Sequence, residues 1–259
     1  MSLWIFDTHA HYDASAFDKD RDALIDSLKQ NGIGKVVNVS AAAKDVDQVI
    51  NLTQKYDFIY GTVGLHPDEV GDLTDELMEE FEELLKLPKI VAVGEIGLDY
   101  YWNKEVKEMQ KECFVRQIDL ARRTGKPLVI HSREAAGDTL DIMRSENAGD
   151  IGGIVHCYSY SPEMAEIYVD MGMYIGVGGV VTYNNAKNLK EVVRRIPLER
   201  IVLETDCPYL TPHPNRGKRN DSSNLKYIAQ AVSELKEIPY DEVVRQTWEN
   251  AHTVYKIKM

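Results

Sequence analysis

Six side chains with metal-binding chemistry sit at the ends of short apolar runs. They are His9 and His11 in IFDTHAH, Glu95 in IVAVGEIGLD, His131 in PLVIHS, His156 in GGIVHC and Asp206 in IVLETD. Imidazole nitrogens mixed with carboxylate oxygens suit one or two divalent cations, and such a set accepts Zn, Mn, Ni, Co or Mg alike. His9 and His11 are two apart, so on extended backbone both side chains face the same way and could reach one ion. Glu95 lies inside an apolar run, where a carboxylate is rare unless paired. An ion, or two ions bridged by it, would be that partner. His131 and His156 would hold a second ion. Asp206 would bind the first and accept a proton from an activated water, which is the chemistry of a hydrolase. One histidine at a strand end is usually structural, but six ligand-type residues in equivalent places are not independent of one another.

Other residues suggest substrate handling. His66, in GLHP, is expected to bind a substrate phosphate or protonate a leaving group, against a structural alternative. Arg133, two after His131, could clamp an anion at the same rim. Arg216, Lys218 and Arg219 cluster in the long stretch DCPYLTPHPNRGKRNDS that follows the last strand. Long loops of this kind are often binding loops, and Arg is shaped for bidentate phosphate contact. Glu204, two before Asp206, is expected to support a ligand histidine. Tyr209 reads as packing for the loop. Cys157 and Cys207 each follow a candidate ligand, so strand alternation would turn them outward, under helices. With Cys113 they form an odd, scattered set of reduced thiols.

Regular elements must gather these residues. Eight Val/Ile-rich runs recur along the chain: 4–7, 35–39, 59–63, 90–94, 127–130, 153–155, 173–177 and 200–203. They are unbroken rather than alternating, as expected for strands buried on both faces of a parallel sheet. Amphipathic stretches lie between them: 17–30, 44–55, 74–85, 104–123, 134–145, 162–170 and 188–195, then 223–236 and 240–255. Gly32 and Gly125 read as helix stops and Ser161-Pro162 as a start. The alternation predicts α/β architecture: one TIM-type (β/α)8 barrel spanning 1–259, with extra C-terminal helices. A doubly wound open sheet is the alternative. Barrel active sites sit at the C-terminal strand ends, where all six candidate ligands fall.

The 259 residues are 44% hydrophobic, ample for one large core, and no apolar run is long enough to span a membrane. The N-terminus lacks a charged stretch followed by an apolar core, so a cytoplasmic, monomeric protein is expected. The net charge of −12 argues against a general nucleic-acid coat. It leaves a nuclease open, because bound metal can supply positive charge at the chemistry.

FDTHAH at 6–11, GLHP at 64–67, GEIGLDY at 94–100, HSRE at 131–134, HC at 156–157, and ETDCPYLTP with PNRGKRN at 204–220 together resemble the TatD family of metal-dependent hydrolases. The resemblance spans nearly the whole chain. It implies a TIM-type barrel with His9, His11, Glu95 and Asp206 at one metal, and Glu95, His131 and His156 at the other. It also implies a deoxyribonuclease, in some members a 3′–5′ exonuclease, or in others a D-aminoacyl-tRNA deacylase. Tyr158-Ser159-Tyr160 and Asp221-Ser222-Ser223 depart from the family's usual Phe-Ser-Gly and Glu-Pro, and are expected to lie on the substrate side. The leading expectation is a phosphodiesterase acting transiently on DNA ends. Hydrolysis of a carbonyl C–N or ester bond, and a non-enzymatic metal-binding scaffold, are the alternatives.

Overall fold

Eight parallel strands lie side by side in chain order: β1 (Ile5–Ala10), β2 (Ile33–Asn38), β3 (Ile59–Val63), β4 (Ile90–Asp99), β5 (Leu128–Arg133), β6 (Gly153–Val155), β7 (Tyr174–Val177) and β8 (Ile201–Leu203). This is a computed structural model, and it describes residues 3–102 and 104–259. The two edge strands meet. The Thr8 hydroxyl donates to Leu203 O at 3.0 Å, Asp206 N–H donates to His9 O at 2.9 Å, and Ala10 bridges Cys207. The sheet therefore curls into a barrel, not the open doubly wound sheet.

One helix follows each strand: α1 (Arg21–Leu28), α2 (Val46–Lys55), α3 (Asp75–Leu84), α4 (Lys107–Thr124), α5 (Ala136–Ser145), α6 (Pro162–Asp170), α7 (Lys187–Arg195) and α8 (Leu225–Lys236). Among the described residues one helix is therefore extra, α9 (Tyr240–Val254). Gly32 and Gly125 stop helical segments in the left-handed region, at φ 81° and 68°. The Ser161 hydroxyl caps α6 by accepting Met164 N–H, with Pro162 at the first helical position.

Phe6, Val37, Val129, Ile154 and Val202 form a separate buried cluster with Ala251, Val254 and Tyr255. A closed barrel has one inner face, and this cluster fills its N-terminal half while the end of α9 plugs that mouth. Asn250 of α9 donates to both Leu198 O and Ile201 O at 2.7 Å, and Tyr255 donates to Thr8 O at 2.7 Å. Side chains alternate along a strand. Val129, Ile154 and Val202 face inward, so His131, His156 and Glu204 continue the same inward rows toward the other mouth.

Three strands outrun the sequence reading. β1 continues through His9 to Ala10, β4 through Glu95 to Asp99, and β5 through His131 to Arg133. These candidate ligands therefore sit inside strands rather than at their ends. The ladder β4–β5 carries on from Ile96↔Ile130 to Asp99↔Arg133, so polar side chains do not end it. Helix α1 begins at Arg21 rather than Phe17, which lies in a preceding 3-10 turn.

Candidate metal centre

Glu95 is the hub, buried at the C-terminal mouth of the barrel. Its two oxygens face different histidine pairs. Oε1 lies 2.6 Å from His156 Nε2 and 2.8 Å from His131 Nδ1. Oε2 lies 3.3 Å from His9 Nε2 and 3.7 Å from His11 Nε2. Asp206 Oδ1 closes the second group, 3.3 Å from His11 Nε2 and 3.9 Å from His9 Nε2. The His9 and His156 rings stack between the two groups, with centroids 3.9 Å apart. Asp206 holds its place in the left-handed region at φ 54°, a conformation non-glycine residues adopt at a cost.

The hydrogen bonds of the histidines show what the centre suits. His11 Nδ1–H donates to Val39 O at 2.9 Å, which turns the Nε2 lone pair toward Asp206, Glu95 and His9 Nε2, the last only 3.1 Å away. His131 Nε2–H donates to Asp99 Oδ2 at 3.0 Å, which turns the Nδ1 lone pair onto Glu95 Oε1. Lone pairs converging on carboxylate oxygens need a cation between them. Protons on the imidazoles would meet the same demand for positive charge. Burial opposes charge on His11, yet the Asp206 and Glu95 carboxylates outweigh it and push the group up to about 10. His131 is likewise driven up to about 9, against burial, by Asp99 and Glu95. Burial would raise Glu95, but the charges of His156 and His9 hold it well below the ordinary carboxylate value. A divalent ion satisfies the same demand, so the donor set fits metal.

Buried acids support the ligands. Sequence reasoning missed two of them, Asp99 and Asp7. Asp99 Oδ2 takes His131 Nε2–H, while Oδ1 accepts the backbone N–H of Tyr101 and Trp102 at 2.8 and 3.0 Å. Against burial, those donors hold Asp99 down to about 2. Asp7 accepts from the Thr205 and Ser222 hydroxyls, both at 2.6 Å, and from Thr205 N–H at 3.0 Å. A signal existed for each: Asp99 is four residues after Glu95, and Asp7 two before His9, so each shares a strand face with a ligand. Atoms of His66, Asp99 and His131 also approach within 4.8 Å of one another. Asp99 is already saturated by three N–H donors, so it acts there as the support of His131.

Glu204 is fully buried with Oε1 4.0 Å from His156 Nδ1, beyond hydrogen-bond reach. It therefore does not hydrogen-bond that histidine, and accepts Cys157 N–H instead. Burial pushes it up to about 8. The fold makes room for it with Gly176, where a Cβ would lie 2.4 Å from Glu204 Oε2.

His66 sits at the mouth, its Nε2 3.9 Å from Glu95 Oε1 and its ring 4.4 Å from that of His131. Its Nδ1 accepts Asp68 N–H at 3.2 Å. Burial lowers its pKa to about 4, so the ring is neutral and Nε2 carries the proton. Arg133 stands exposed on the rim, its guanidinium 4.0 Å from the centre of the Tyr101 ring. Arg216 lies over Tyr183 at 4.3 Å. The basic cluster is not uniformly free, because Arg219 makes two 2.7 Å contacts with Asp20 and covers Phe17. Tyr209 is 60% exposed and is not loop packing. Cys157 and Cys207 lie beyond the ends of β6 and β8, Cys207 fully buried, and neither joins a ligand group among the described residues.

The sequence profile of the family described as TatD related DNase matches residues 6–256. The chain belongs to the TatD family. It is 43% identical to the uncharacterized metal-dependent hydrolase YabD of Bacillus subtilis, over 98% of this chain and 99% of that one. It is 38% identical to the uncharacterized metal-dependent hydrolase TatD of Mycobacterium tuberculosis, over 96% and 97%. Its fold superposes on the crystal structure of the TatD homologue YjjV of Escherichia coli with a TM-score of 0.93, at 30% identity, covering both chains fully. It is a metal-dependent hydrolase of the TatD family.

In each of the two departures from the TatD-family pattern one residue is buried. Tyr158 is buried and donates to Ser161 O at 2.7 Å, and the Tyr160 hydroxyl bonds Ser132 Oγ at 2.9 Å. Ser222 is fully buried between Asp7 and Tyr12, beneath the ligands. Both segments lie on loops beyond C-terminal strand ends, after β6 and β8, with Ser159 exposed and Tyr158 and Ser222 spent on internal hydrogen bonds.

Proposed function

We propose that the chain is a divalent-metal-dependent phosphodiesterase that trims DNA from its 3′ ends. The observation that carries this reading is the split of Glu95, whose two oxygens each face a separate ligand group. His9, His11, Asp206 and Glu95 would hold one ion, and Glu95, His131 and His156 a second. Bound divalent ions supply an acidified water and positive charge against the departing oxygen. Asp206 is the base: burial opposes its charge, but His11 and His9 keep it below the ordinary carboxylate value, so it stands ionised beside the ligand histidines. The neutral His66 donates from Nε2 to a phosphate oxygen. Arg133, exposed at the end of β5, and Arg216, exposed on the loop after β8, hold flanking phosphates.

The test uses end-labelled single-stranded DNA and metal-stripped protein, with Mn²⁺ or Mg²⁺ restored. Products shortened from the 3′ end should form only with metal, and Asp206→Asn should slow them by about 10²–10⁴-fold. A second reading, hydrolysis of a carbonyl C–N or ester bond, is favoured by the net charge of −12 and by the engagement of Arg219 with Asp20. DNA left intact under every metal, with an aminoacyl ester cleaved, would replace the first reading by the second.

A further inference from the structure

Two aromatic rings stand in the open where β4 leaves the barrel. Tyr101 is 46% exposed and Trp102 67%. Among the described residues the other exposed large aromatics are Trp4, before β1, and Tyr209, after β8. Three of these four rings therefore lie at the C-terminal mouth of the barrel, and adjoining exposed apolar rings mark interaction sites. The pair is held in position. Both backbone N–H groups donate to Asp99 Oδ1, and Asp99 Oδ2 holds the ligand His131, so one buried carboxylate ties the rings to the metal centre. The rings meet edge to face, with centroids 4.7 Å apart at 89°. Arg133 spreads its guanidinium 4.0 Å from the Tyr101 centroid and 5.5 Å from that of Trp102, and makes no ion pair among the described residues.

We propose that Tyr101, Trp102 and Arg133 form a stacking shelf for an unpaired nucleobase, on the strand whose backbone enters the metal centre. The proposal rests on the phosphodiesterase reading and narrows it to single-stranded or frayed ends. A base in a duplex has both faces covered by its neighbours, whereas an unpaired base can lay a face on an indole or a guanidinium. Every base has such a face, so the shelf selects strandedness rather than sequence. The Arg133 charge also offers a contact to the adjoining phosphate.

The test measures binding of a phosphorothioate oligothymidylate to the metal-loaded protein by fluorescence anisotropy, so that affinity is read without cleavage. Trp102→Ala should weaken binding by about 5- to 150-fold, and Trp102→Phe should keep most of it. A strand of equal length without bases should bind wild type and Trp102→Ala equally. Equal affinity for the oligothymidylate in Trp102→Ala, or a deficit that persists on the baseless strand, overturns the shelf. Cleavage of the unmodified strand by wild type is followed in parallel. A strand that binds through Trp102 but is never cut refutes the phosphodiesterase reading and keeps the shelf. A strand that is cut, yet bound equally by Trp102→Ala, refutes the shelf and keeps the reaction.

Discussion

Asp99→Asn changes one atom pair and should be felt at the metal. The carboxylate meets donors on both sides: His131 Nε2–H on Oδ2 at 3.0 Å, and the N–H groups of Tyr101 and Trp102 on Oδ1 at 2.8 and 3.0 Å. An amide has a single accepting oxygen, so its NH2 must face a donor on one side. A buried donor left unpaired costs about 1–3 kcal/mol. The negative charge behind His131 is lost as well. Removing such a partner typically weakens metal binding about 10- to 100-fold, or about 1.4–2.7 kcal/mol. Metal stabilises the folded state by an amount that grows with the logarithm of its affinity. With a shift of about 2–4 °C per kcal/mol for a chain of this size, the metal-induced rise in Tm should shrink by about 3–11 °C. Thermal melts of stripped and Mn²⁺- or Zn²⁺-loaded protein, with chelator competition for affinity, measure both quantities. A variant with the wild-type metal-induced rise and the wild-type affinity would refute the role given to Asp99.

Gly176→Ala should destabilise by about 1–3 kcal/mol through overpacking, because its new Cβ would lie 2.4 Å from Glu204 Oε2; an unchanged urea midpoint would show that Glu204 has room to move. Asn250→Ala should cost about 1–3 kcal/mol by orphaning Leu198 O and Ile201 O, yet leave metal affinity unchanged, since it lies at the opposite mouth; calorimetric metal titration of the folded variant decides this. Arg219→Ala should leave the Kd for single-stranded DNA unchanged, because the guanidinium is engaged with Asp20, whereas Arg216→Ala should weaken binding. Equal losses in the two variants would return the whole loop to substrate binding.

The barrel was legible because its signals are local. A run such as Ile59–Val63 is apolar on both faces, and the stops at Gly32 and Gly125 follow from backbone freedom at positive φ. The six candidate ligands were legible for a related reason. A histidine or carboxylate inside an apolar run carries a desolvation cost that something must offset. Asp99 escaped notice because a polar residue near a strand end also reads as the start of a loop, and only the continued ladder to Asp99↔Arg133 shows that β4 has not ended.

The amino-acid sequence by itself determined the element order, the ligand chemistry and the mouth at which the ligands gather, since each depends on neighbours a few positions away. Closure of the barrel decided the rest. It set which histidine pair faces which oxygen of Glu95, and it placed Gly176 against Glu204. It also bound Arg219 to an aspartate 199 positions away and buried Ser222 beside Asp7 across 215. Such pairings depend on distances through space between remote segments, and chain spacing carries no record of them until the β1 and β8 edges meet.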